Sequence, residues 1–553
     1  MSHDRRIKVT IKVACLQLEA FDINQSDLAL ENAFQMIDRV AGSKVDLVVL
    51  PECVFPGYIL GLHCDIEAQV KKTSKALNAF QEKAREHSLH LIVGLAELYK
   101  EKIQNTAVLI NPKGKIVGRT AKSFLWHFDS KWFESGDTFE VFQTDIGRIG
   151  MIVCADGRQP EITRILSLKG ADVIVDLTNL VSSGFYPDKL SNPQCEYMLT
   201  TRALENRVWL IVANKVGIEA KSVVYCGRSC VIDPAGSVLK MASSHKQEIV
   251  LVEIDLSVSQ MKRFDENFDV FSNRRPRAYK ILSKEYTSVP LAKHLNEKLI
   301  PEEKTFYAGV VQLDKRINIS EFIISASEFI KSMALQSTKL LVFPDLPCLE
   351  NWSNEKQLIE SFINNAKEND LFIISAGTQV DVDHIYKGAY LFSPDGSYQF
   401  YRKVHLDERE NKKFKPGEEM IVWETSIGRI AIMLGYEGLL PEVARSLTLM
   451  GADIIAWPVN FSINHQKSFA RTRASENRIF VMVANTFGLD SGGNSLITNP
   501  LGLLPAAAFQ GREQAVGTQM EILLVRCKDV VPGSNVIKDR FPRAYNLLWE
   551  NSV

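Results

Sequence analysis

The sequence predicts an α/β protein in which sheets are covered by helices, and it predicts two copies of that architecture in one chain. Strand-like apolar runs alternate with segments of helical periodicity. Several strands, such as 45–50 (VDLVVL), are apolar throughout, which is typical of strands buried on both faces. The order of motifs in the first half of the chain then recurs in the second half.

The elements of the first half follow one another in a regular order. Period-two alternation or short continuous apolar runs predict the strands, and apolar residues three and four positions apart predict the helices. An aromatic and basic loop over 118–137 lies before the predicted strand 149–153. The predicted elements are strand 7–19, helix 25–42, strand 45–50, helix 66–88, strand 89–98, two strands around a turn at 111–114, strand 149–153, a helix from 160, strand 171–177, a helix around 202–207 and strand 208–214.

The second half of the chain repeats the motifs of the first. Residues 147–161 (GRIGMIVCADGRQPE) match 428–442 (GRIAIMLGYEGLLPE), and 201–214 (TRALENRVWLIVAN) match 472–485 (TRASENRIFVMVAN). A repeat of this length indicates duplicated domains and not a solenoid. The predicted division is a first domain over 7–285, a linker over 286–304 and a second domain over 305–553.

Composition excludes several classes of function. Charged residues make up 24% of the 553 residues and the formal net charge is −1, so no excess charge points to nucleic acid or an anionic membrane as a partner. No apolar run reaches the roughly 18 residues of a membrane span, and residues 1–13 lack the apolar core of a signal peptide, so we expect a cytoplasmic protein. The nine irregularly spaced cysteines are interpreted as reduced thiols, and the Cys226-x3-Cys230 pair lacks the second pair of a metal site.

A thiol lies where one predicted strand ends and a helix begins. Cys154 follows the apolar run 149–153, the next residues favour a turn, and Pro160 opens a helical pattern. An elbow of this kind exposes a nucleophile and points backbone N–H groups at a developing oxyanion. The alternative interpretation of a lone cysteine is a small buried hydrophobic residue. The second copy has Gly435 at this position, a difference that a space-filling role does not explain.

Two charged residues of the first copy lie, like Cys154, at a strand end or in the loop after a strand. Glu52 follows the strand 45–50, and Lys122 lies in the aromatic and basic loop. Taken singly, the glutamate also fits a surface turn or helix cap, and the lysine a solvated charge. Together with Cys154, and with the RAxEN helix and the RRP motif of the same copy, they resemble the nitrilase, or carbon–nitrogen hydrolase, superfamily. The resemblance covers nearly the whole chain, twice.

This resemblance implies an α-β-β-α four-layer sandwich in each copy and an internal pseudo-dimer of the two copies. It implies that Glu52 acts as general base, that Cys154 is the nucleophile of a covalent intermediate, and that Lys122 stabilises the oxyanion together with the N–H of Ala155. Asp129 stands where the family usually has a glutamate and would orient the lysine or the substrate; the alternative is a solvated loop acid. No metal and no organic cofactor are implied.

Substrate specificity is predicted from the residues around the cysteine. Nitrile-hydrolysing members tend to have Trp-Glu after the cysteine, whereas the Ala155-Asp156 of this chain resembles amidases and N-carbamoyl amide hydrolases. We therefore expect a small-molecule amide or ureido substrate, with a nitrile as the alternative, and leave open whether the chain forms homo-oligomers beyond the pseudo-dimer. The predicted substrate-binding residues are Ala155, Arg158, Trp126, His127 and Asn179. A structural salt bridge is the alternative for the arginine, and plain packing is the alternative for the aromatic residues.

The second copy departs from the triad. Asp345 replaces Glu52, Lys403 is retained, and Gly435 replaces the thiol, so we predict that this copy is inactive. Two further alternatives apply to the whole chain. One is a binding or scaffold protein that has lost turnover in both halves. The other is an acyltransferase that passes the acyl group to an amine, although such members often carry membrane segments.

Overall fold

The computed structural model describes residues 9–61, 65–99, 101–296, 301–351, 353, 355–460, 465–488 and 491–550. Contacts within the chain divide it into two compact units. The first unit contains the residues up to Lys262 together with Asp529–Asn535 and Asp539–Ala544. The second unit contains Arg263–Lys528, Val536–Lys538 and the residues from Tyr545 onward. Each unit is therefore built mainly from one sequence repeat.

In the part of the first unit that the structure describes, five α-helices and most of the strands precede Lys262. The helices are α1 (Ser26–Ala41), α2 (Ile66–Lys71), α3 (Thr73–Glu86), α4 (Pro160–Leu168) and α5 (Leu199–Asn206). The strands are β1 (Thr10–Glu19), β2 (Leu47–Val49), β3 (His90–Tyr99), β4 (Lys102–Ile110), β5 (Ile116–Ala121), β6 (Val141–Thr144), β7 (Gly147–Val153), β8 (Val173–Leu177), β9 (Val181–Ser182), β10 (Trp209–Ala213), β11 (Lys215–Glu219), β12 (Val223–Cys226), β13 (Cys230–Ile232), β14 (Val238–Met241) and β15 (Glu248–Asp255).

Two sheets stack face to face in the first unit. One has the strand order β5-β4-β3-β2-β1-β11-β12-β9, with β15 antiparallel to β1, and the other has the order β14-β13-β10-β8-β7-β6. Alternate residues such as Val13 and Val153 form one core between the sheets. Residues of the opposite faces, such as Leu16 on the first sheet, pack against α1 and α3, while α4 and α5 cover the second sheet. The predicted four-layer sandwich is confirmed.

The second unit repeats this topology. Its helices are α6 (Pro290–Asn296), α7 (Ile319–Ala334), α8 (Glu355–Asn369), α9 (Pro441–Leu449), α10 (Gln466–Asn477) and α11 (Asn546–Trp549). Its strands are β16 (Thr305–Asp314), β17 (Thr338–Val342), β18 (Phe372–Asp381), β19 (His384–Phe392), β20 (Tyr398–Arg402), β21 (Val422–Thr425), β22 (Gly428–Ile432), β23 (Ile454–Pro458), β24 (Phe480–Ala484), β25 (Thr486–Gly488), β26 (Ser491–Gly492), β27 (Leu496–Thr498), β28 (Ala506–Ala507) and β29 (Gln514–Glu521). The sheet orders are β20-β19-β18-β17-β16-β25-β26, with β29 antiparallel to β16, and β21-β22-β23-β24-β27-β28. This matching order confirms the duplication of the fold.

The ends of the sequence repeats do not coincide with the ends of the compact units. Arg540, in the RFPRAY motif of the second repeat, lies in the first unit and pairs with Glu161 of α4 at 3.2 Å. Arg274, in the RRPRAY motif of the first repeat, lies in the second unit and pairs with Glu442 of α9 at 2.8 Å. A short hairpin of β30 (Asp529–Val531) and β31 (Ser534–Asn535) also belongs to the first unit. Residues 274–279 of the first repeat thus belong to the unit built by the second, and residues 540–544 of the second repeat belong to the unit built by the first.

Two predicted segments differ from the pattern read in the sequence. The helix expected over 66–88 is two helices, α2 and α3, and the Thr73 hydroxyl at the start of the second donates to the Ala96 carbonyl of β3. The segment 286–304, predicted as a linker, contains α6, in which Leu291 and His294 are buried. Residues 297–300 of that segment lie outside the described residues. At least its first half is therefore packed structure.

Two general expectations concern membranes and cysteines. Within the described ranges, none of the helices combines the length and the apolar character that spanning a bilayer requires. The eight cysteines that the structure describes are all free thiols, in line with their irregular spacing.

Candidate active site

Glu52 lies in the loop that follows the C-terminal end of β2, an interior strand of the first sheet. Its side chain is fully buried, and Oε1 accepts hydrogen bonds from Asn105 Nδ2 at 2.6 Å and from Lys122 Nζ at 2.8 Å. Oε2 has no hydrogen-bond partner among the described residues. Burial raises the pKa of this carboxyl above its usual value, in opposition to the charge of the lysine. A buried carboxylate with one oxygen available is equipped to accept a proton.

Lys122 follows β5 and is also fully buried. Its backbone N–H donates to the Asn105 carbonyl at 2.8 Å, and its Nζ lies 2.8 Å from Glu52 Oε1 and 2.7 Å from Asp129 Oδ2. Burial by itself would lower the pKa of the lysine, but the charges of Asp129 and Glu52 outweigh it and raise the pKa well above the usual range. The ammonium is therefore charged at neutral pH and is not a solvated surface charge.

Asp129 opens the short 3₁₀ turn Asp129–Lys131 in the aromatic loop. Besides its ion pair with Lys122, Oδ2 accepts a hydrogen bond from the backbone N–H of Trp126 at 2.8 Å. The side chain is fully buried, and Oδ1 has no hydrogen-bond partner within the described part of the chain. Asp129 is thus not a solvated loop acid: it is the second carboxylate on the lysine.

Cys154 is the first residue of the turn Cys154–Arg158, directly after β7. Its φ of 54° lies in the left-handed region, which few non-glycine residues adopt. Two buried side chains hold this conformation: Asp176 Oδ1 accepts the Cys154 N–H at 2.8 Å, and Gln194 Nε2 donates to the Cys154 carbonyl at 2.8 Å. Burial and the charge of Glu52 raise the pKa of the thiol well above its usual value. The resting thiol is therefore protonated at neutral pH and needs a base to become a nucleophile.

Asp156 connects the elbow of Cys154 to the segment that carries Lys122. Its Oδ1 accepts the backbone N–H groups of Ser123 at 3.0 Å and Phe124 at 2.7 Å. Its Oδ2 accepts the N–H of Val153, the last residue of β7, at 3.0 Å. One buried carboxylate thus joins the two sheets at the point where the lysine and the thiol lie.

The remaining predicted residues lie around this cluster. Asn179 Nδ2 donates to the Glu52 carbonyl at 3.1 Å. The Arg158 guanidinium stacks over the Trp126 ring at 4.9 Å, and the His127 ring meets Phe128 edge to face at 5.4 Å. Ala155 is the second residue of the 3₁₀ turn, a position whose N–H has no partner within the turn itself. The substrate contacts of these five residues stay a prediction.

The equivalent position in the second unit is organised differently. Lys403 pairs with Glu410 at 2.6 Å, and Lys387, the counterpart of Asn105, lies 3.0 Å from Asp345 and 3.1 Å from Glu410. Gly435 occupies the elbow, and its carbonyl accepts a hydrogen bond from Nε1 of the fully buried Trp457 at 2.8 Å. This tryptophan stands in β23 where the first unit has Asp176 in β8. The second unit therefore has no thiol at its elbow, and lysines neutralise its carboxylates.

The carbon–nitrogen hydrolase family model matches residues 12–264 and 307–525, which is more than half of the chain. The chain belongs to the carbon–nitrogen hydrolase family. A nitrilase from Pyrococcus abyssi (strain GE5 / Orsay) is 32% identical over 49% of this chain and 99% of its own. An (R)-stereoselective amidase from Pseudomonas sp is 29% identical over 48% of this chain and 92% of its own. The crystal structure of an amidase from Nesterenkonia sp. covers 47% of this chain and 97% of its own at 24% identity, with a TM-score of 0.41. The two matched segments agree with the tandem duplication.

Sequence reasoning missed several residues that position this candidate site. Asn105 hydrogen-bonds both Glu52 and Lys122, and the Tyr58 ring lies 5.4 Å from the Lys122 ammonium. Glu219 Oε1 fixes the tyrosine loop by accepting the N–H groups of Tyr58 and Ile59 at 2.8 Å each. Burial, then the charge of Asp129, raises the pKa of Tyr58 well above its usual value. Asn105 follows Gln104 and precedes Thr106 in β4, so its polarity does not distinguish it from its neighbours in the sequence.

A cluster of potential metal ligands lies outside the candidate site, on the surface of the first unit. In the described part of the chain, one group of three side chains, Asp38, Glu86 and His87, brings potential ligand atoms together. The Lys83 ammonium already lies 2.7 Å from the aspartate and 3.2 Å from the glutamate. Because the lysine neutralises these carboxylates, the group is better described as a surface ion-pair cluster on α1 and α3.

Proposed function

We propose that the first unit hydrolyses the carbon–nitrogen bond of small amides or N-carbamoyl compounds through Cys154, and that the second unit does no chemistry of this kind. The observation that carries the proposal is the buried Glu52–Lys122–Asp129 ion-pair chain beside a buried thiol. The second unit supports it by contrast, because Gly435 stands at the elbow and Trp457 is bonded to it.

The attack on the substrate requires a base, because the raised pKa of the thiol keeps Cys154 protonated at neutral pH. Glu52 takes that proton, and its own pKa, raised by burial, makes it a stronger base than an exposed carboxylate. Sγ then bonds to the carbonyl carbon, and the carbonyl oxygen becomes an oxyanion. The Lys122 ammonium and the N–H of Ala155 stabilise this charge in a buried site.

Collapse of the tetrahedral species breaks the carbon–nitrogen bond. The protonated Glu52 gives its proton to the departing nitrogen, which leaves as ammonia or an amine, and Cys154 carries a thioester from an amide or a thiocarbamate from an N-carbamoyl compound. Water, deprotonated by the same carboxylate, attacks this intermediate and releases a carboxylic acid from the thioester or a carbamic acid from the thiocarbamate. Lys122 keeps its proton throughout, because Asp129 and Glu52 hold its pKa well above neutral. The cycle consumes one water and regenerates the thiol.

An amide or N-carbamoyl substrate is favoured over a nitrile by the Ala155-Asp156 pair after the nucleophile. The (R)-stereoselective amidase among the relatives supports this choice. Nitrile hydrolysis is the second candidate, because the relative at 32% identity is named a nitrilase. Attack of the same thiolate on a nitrile carbon gives a thioimidate, and two waters then yield the acid and ammonia.

The test is ammonia release by the full chain across a panel of amides, ureido acids and nitriles, combined with mass analysis of Cys154. We expect turnover of an amide or ureido compound, and an acyl adduct on the Cys154 peptide after rapid acid quench. Cys154→Ala should lower kcat by several orders of magnitude, since it removes the covalent nucleophile. Cys15→Ala, a buried thiol in the core between the sheets, is the matched control and should keep parent activity. Residual activity of Cys154→Ala within about tenfold of the parent would overturn the proposal.

A further inference from the structure

One residue near the end of the chain contacts the loop that carries Asp129. Ser534 lies in the hairpin β30–β31, which belongs to the first compact unit, and its side chain is fully buried. Its Oγ accepts the backbone N–H of His127 at 2.7 Å and donates to the backbone carbonyl of Leu125 at 3.1 Å. A single hydroxyl therefore bonds the carbonyl at one end and the N–H at the other end of a three-residue stretch of the loop.

This stretch leads directly to the ion pairs of the site. Trp126, between the two residues that Ser534 contacts, donates its N–H to Asp129 Oδ2, the same oxygen that lies 2.7 Å from Lys122 Nζ. His127 has a φ of 46°, a left-handed conformation that is strained in a non-glycine residue and needs support from its surroundings. The hydrogen bond from its N–H to Ser534 supplies that support.

The second unit provides an internal comparison. Alignment of 528–545 with 262–279 places Phe268 at the position of Ser534. Phe268 has no hydroxyl, and its ring stacks on Tyr436 at 4.8 Å within the second unit. The bridging hydroxyl is thus present in the unit that has Cys154 and absent from the unit that has Gly435. In the second unit other groups bond the corresponding stretch: the Glu408 N–H donates to the Asn267 carbonyl at 3.1 Å, and Asn273 Nδ2 donates to the Leu406 carbonyl at 3.0 Å. The stretch is therefore held in both units, and one side-chain hydroxyl bonds both ends of it in the unit that has the thiol.

We propose that Ser534 is a positioning residue for hydrolysis in the first unit: it holds the 125–127 stretch so that Asp129 keeps Lys122 in place for the oxyanion. This inference rests on the proposed function of Cys154. It also assigns part of the active-site framework to the last 25 residues of the chain, which come from the repeat without a thiol. The segment has a separate anchor in the buried Arg540–Glu161 pair, so loss of one hydroxyl should not detach it.

The expected effect of Ser534→Ala is on the chemical step. Loss of the hydroxyl leaves the His127 N–H unpaired and frees the loop, and a misplacement of about 1 Å can cost on the order of a hundredfold in rate. We expect kcat to fall about tenfold to a hundredfold on this reasoning, with KM within about threefold of the parent. The alkaline limb of kcat should move to lower pH, because the charge of Asp129 helps to keep the Lys122 pKa high.

The experiment compares three variants of the full chain. Ser534→Ala removes the hydroxyl, Ser534→Thr keeps it, and Ser259→Ala removes another buried hydroxyl of the first unit that bonds only structural groups, the Leu256 carbonyl and Asp172. We expect the threonine variant to recover most of the lost kcat and the Ser259 variant to match the parent. Parent kcat and pH profile in Ser534→Ala would overturn the inference. An equal loss in all three variants would also overturn it, because it would indicate general destabilisation.

A second measurement separates this inference from the proposed function. The rate at which iodoacetamide alkylates Cys154 is followed by mass spectrometry across pH, which requires no substrate. We expect slower alkylation at pH 7 in Ser534→Ala than in the parent, because a displaced Lys122, whose charge lowers the pKa of the thiol, no longer favours the thiolate. Absence of ammonia release by the parent would count against the proposed function alone. An unchanged alkylation profile in Ser534→Ala would count against the role of Ser534 alone.

Discussion

Replacement of Asp129 by asparagine tests the electrostatic design of the site. The substitution keeps the shape of the side chain and its acceptor for the Trp126 N–H, but it removes one of the two negative charges on Lys122. In a site where both side chains are fully buried, that charge is not replaced by water. Asp129 is also the largest of the influences that raise the pKa of the lysine against the effect of burial.

The magnitude follows from the distance between the charges. At the 2.7 Å separation of Lys122 Nζ and Asp129 Oδ2, Coulomb attraction at an effective dielectric constant of about 20 is roughly 6 kcal/mol, an upper bound on the loss. Removal of one partner of a buried ion pair costs about 3–5 kcal/mol in proteins. If about 3–4 kcal/mol of this appears in the transition state, kcat/KM falls by roughly 10²–10³.

The assay is the pH dependence of kcat/KM for ammonia release, with Asp137→Asn, an exposed acid of the same loop, as the matched control. Lys122 must be protonated to stabilise the oxyanion, and loss of the Asp129 charge lowers its pKa. The alkaline limb of the profile should therefore move to lower pH in Asp129→Asn and stay in place in Asp137→Asn. The electrostatic account would be refuted if Asp129→Asn had the same maximal kcat/KM as the parent and the same alkaline limb in its pH profile.

Three further predictions concern the base, the second unit and the terminal segment. Glu52→Gln should lower kcat about as strongly as loss of the nucleophile, because base and nucleophile act as a unit, and retention of most of the parent kcat would show that the base is another group. Burial would raise the pKa of Glu410, but Lys403 and Lys387 lower it from 4.5 to about 2. The ionised carboxylate therefore stabilises the folded state by about 3 kcal/mol above pH 4.5, and this contribution is lost as the pH falls through about 2. Urea unfolding between pH 7 and 2 should show this loss in the parent and in the exposed-site control Glu419→Gln but not in Glu410→Gln, and an equal slope in all three would contradict it. Residues 1–290 expressed alone lack the part of the first unit that pairs with Glu161, so we expect an aggregated or inactive product; a soluble monomer with parent kcat would rule out this dependence.

The sequence by itself determined the architecture of each copy and the positions from which the chemistry is proposed. Strand and helix periodicity are local properties, so the ends of β2 and β7 could be located without a structure. Glu52 and Cys154 were therefore placed at strand ends from neighbouring residues alone. The absence of a thiol at Gly435 could also be identified from the sequence, because the duplication aligns the two copies within one chain.

Only the tertiary structure decided how these positions are connected. Asn105 and Asp156 act through hydrogen bonds to residues 17 to 53 positions away, and no periodicity in the sequence encodes such partners. The contact of Ser534 with His127 spans 407 positions. Trp457 could not be recognised as the group bonded to the Gly435 elbow until β22 and β23 were paired. Burial and charge pairing are decided by which side chains the folded chain brings together, and these long-range contacts set the pKa values on which the proposed chemistry depends.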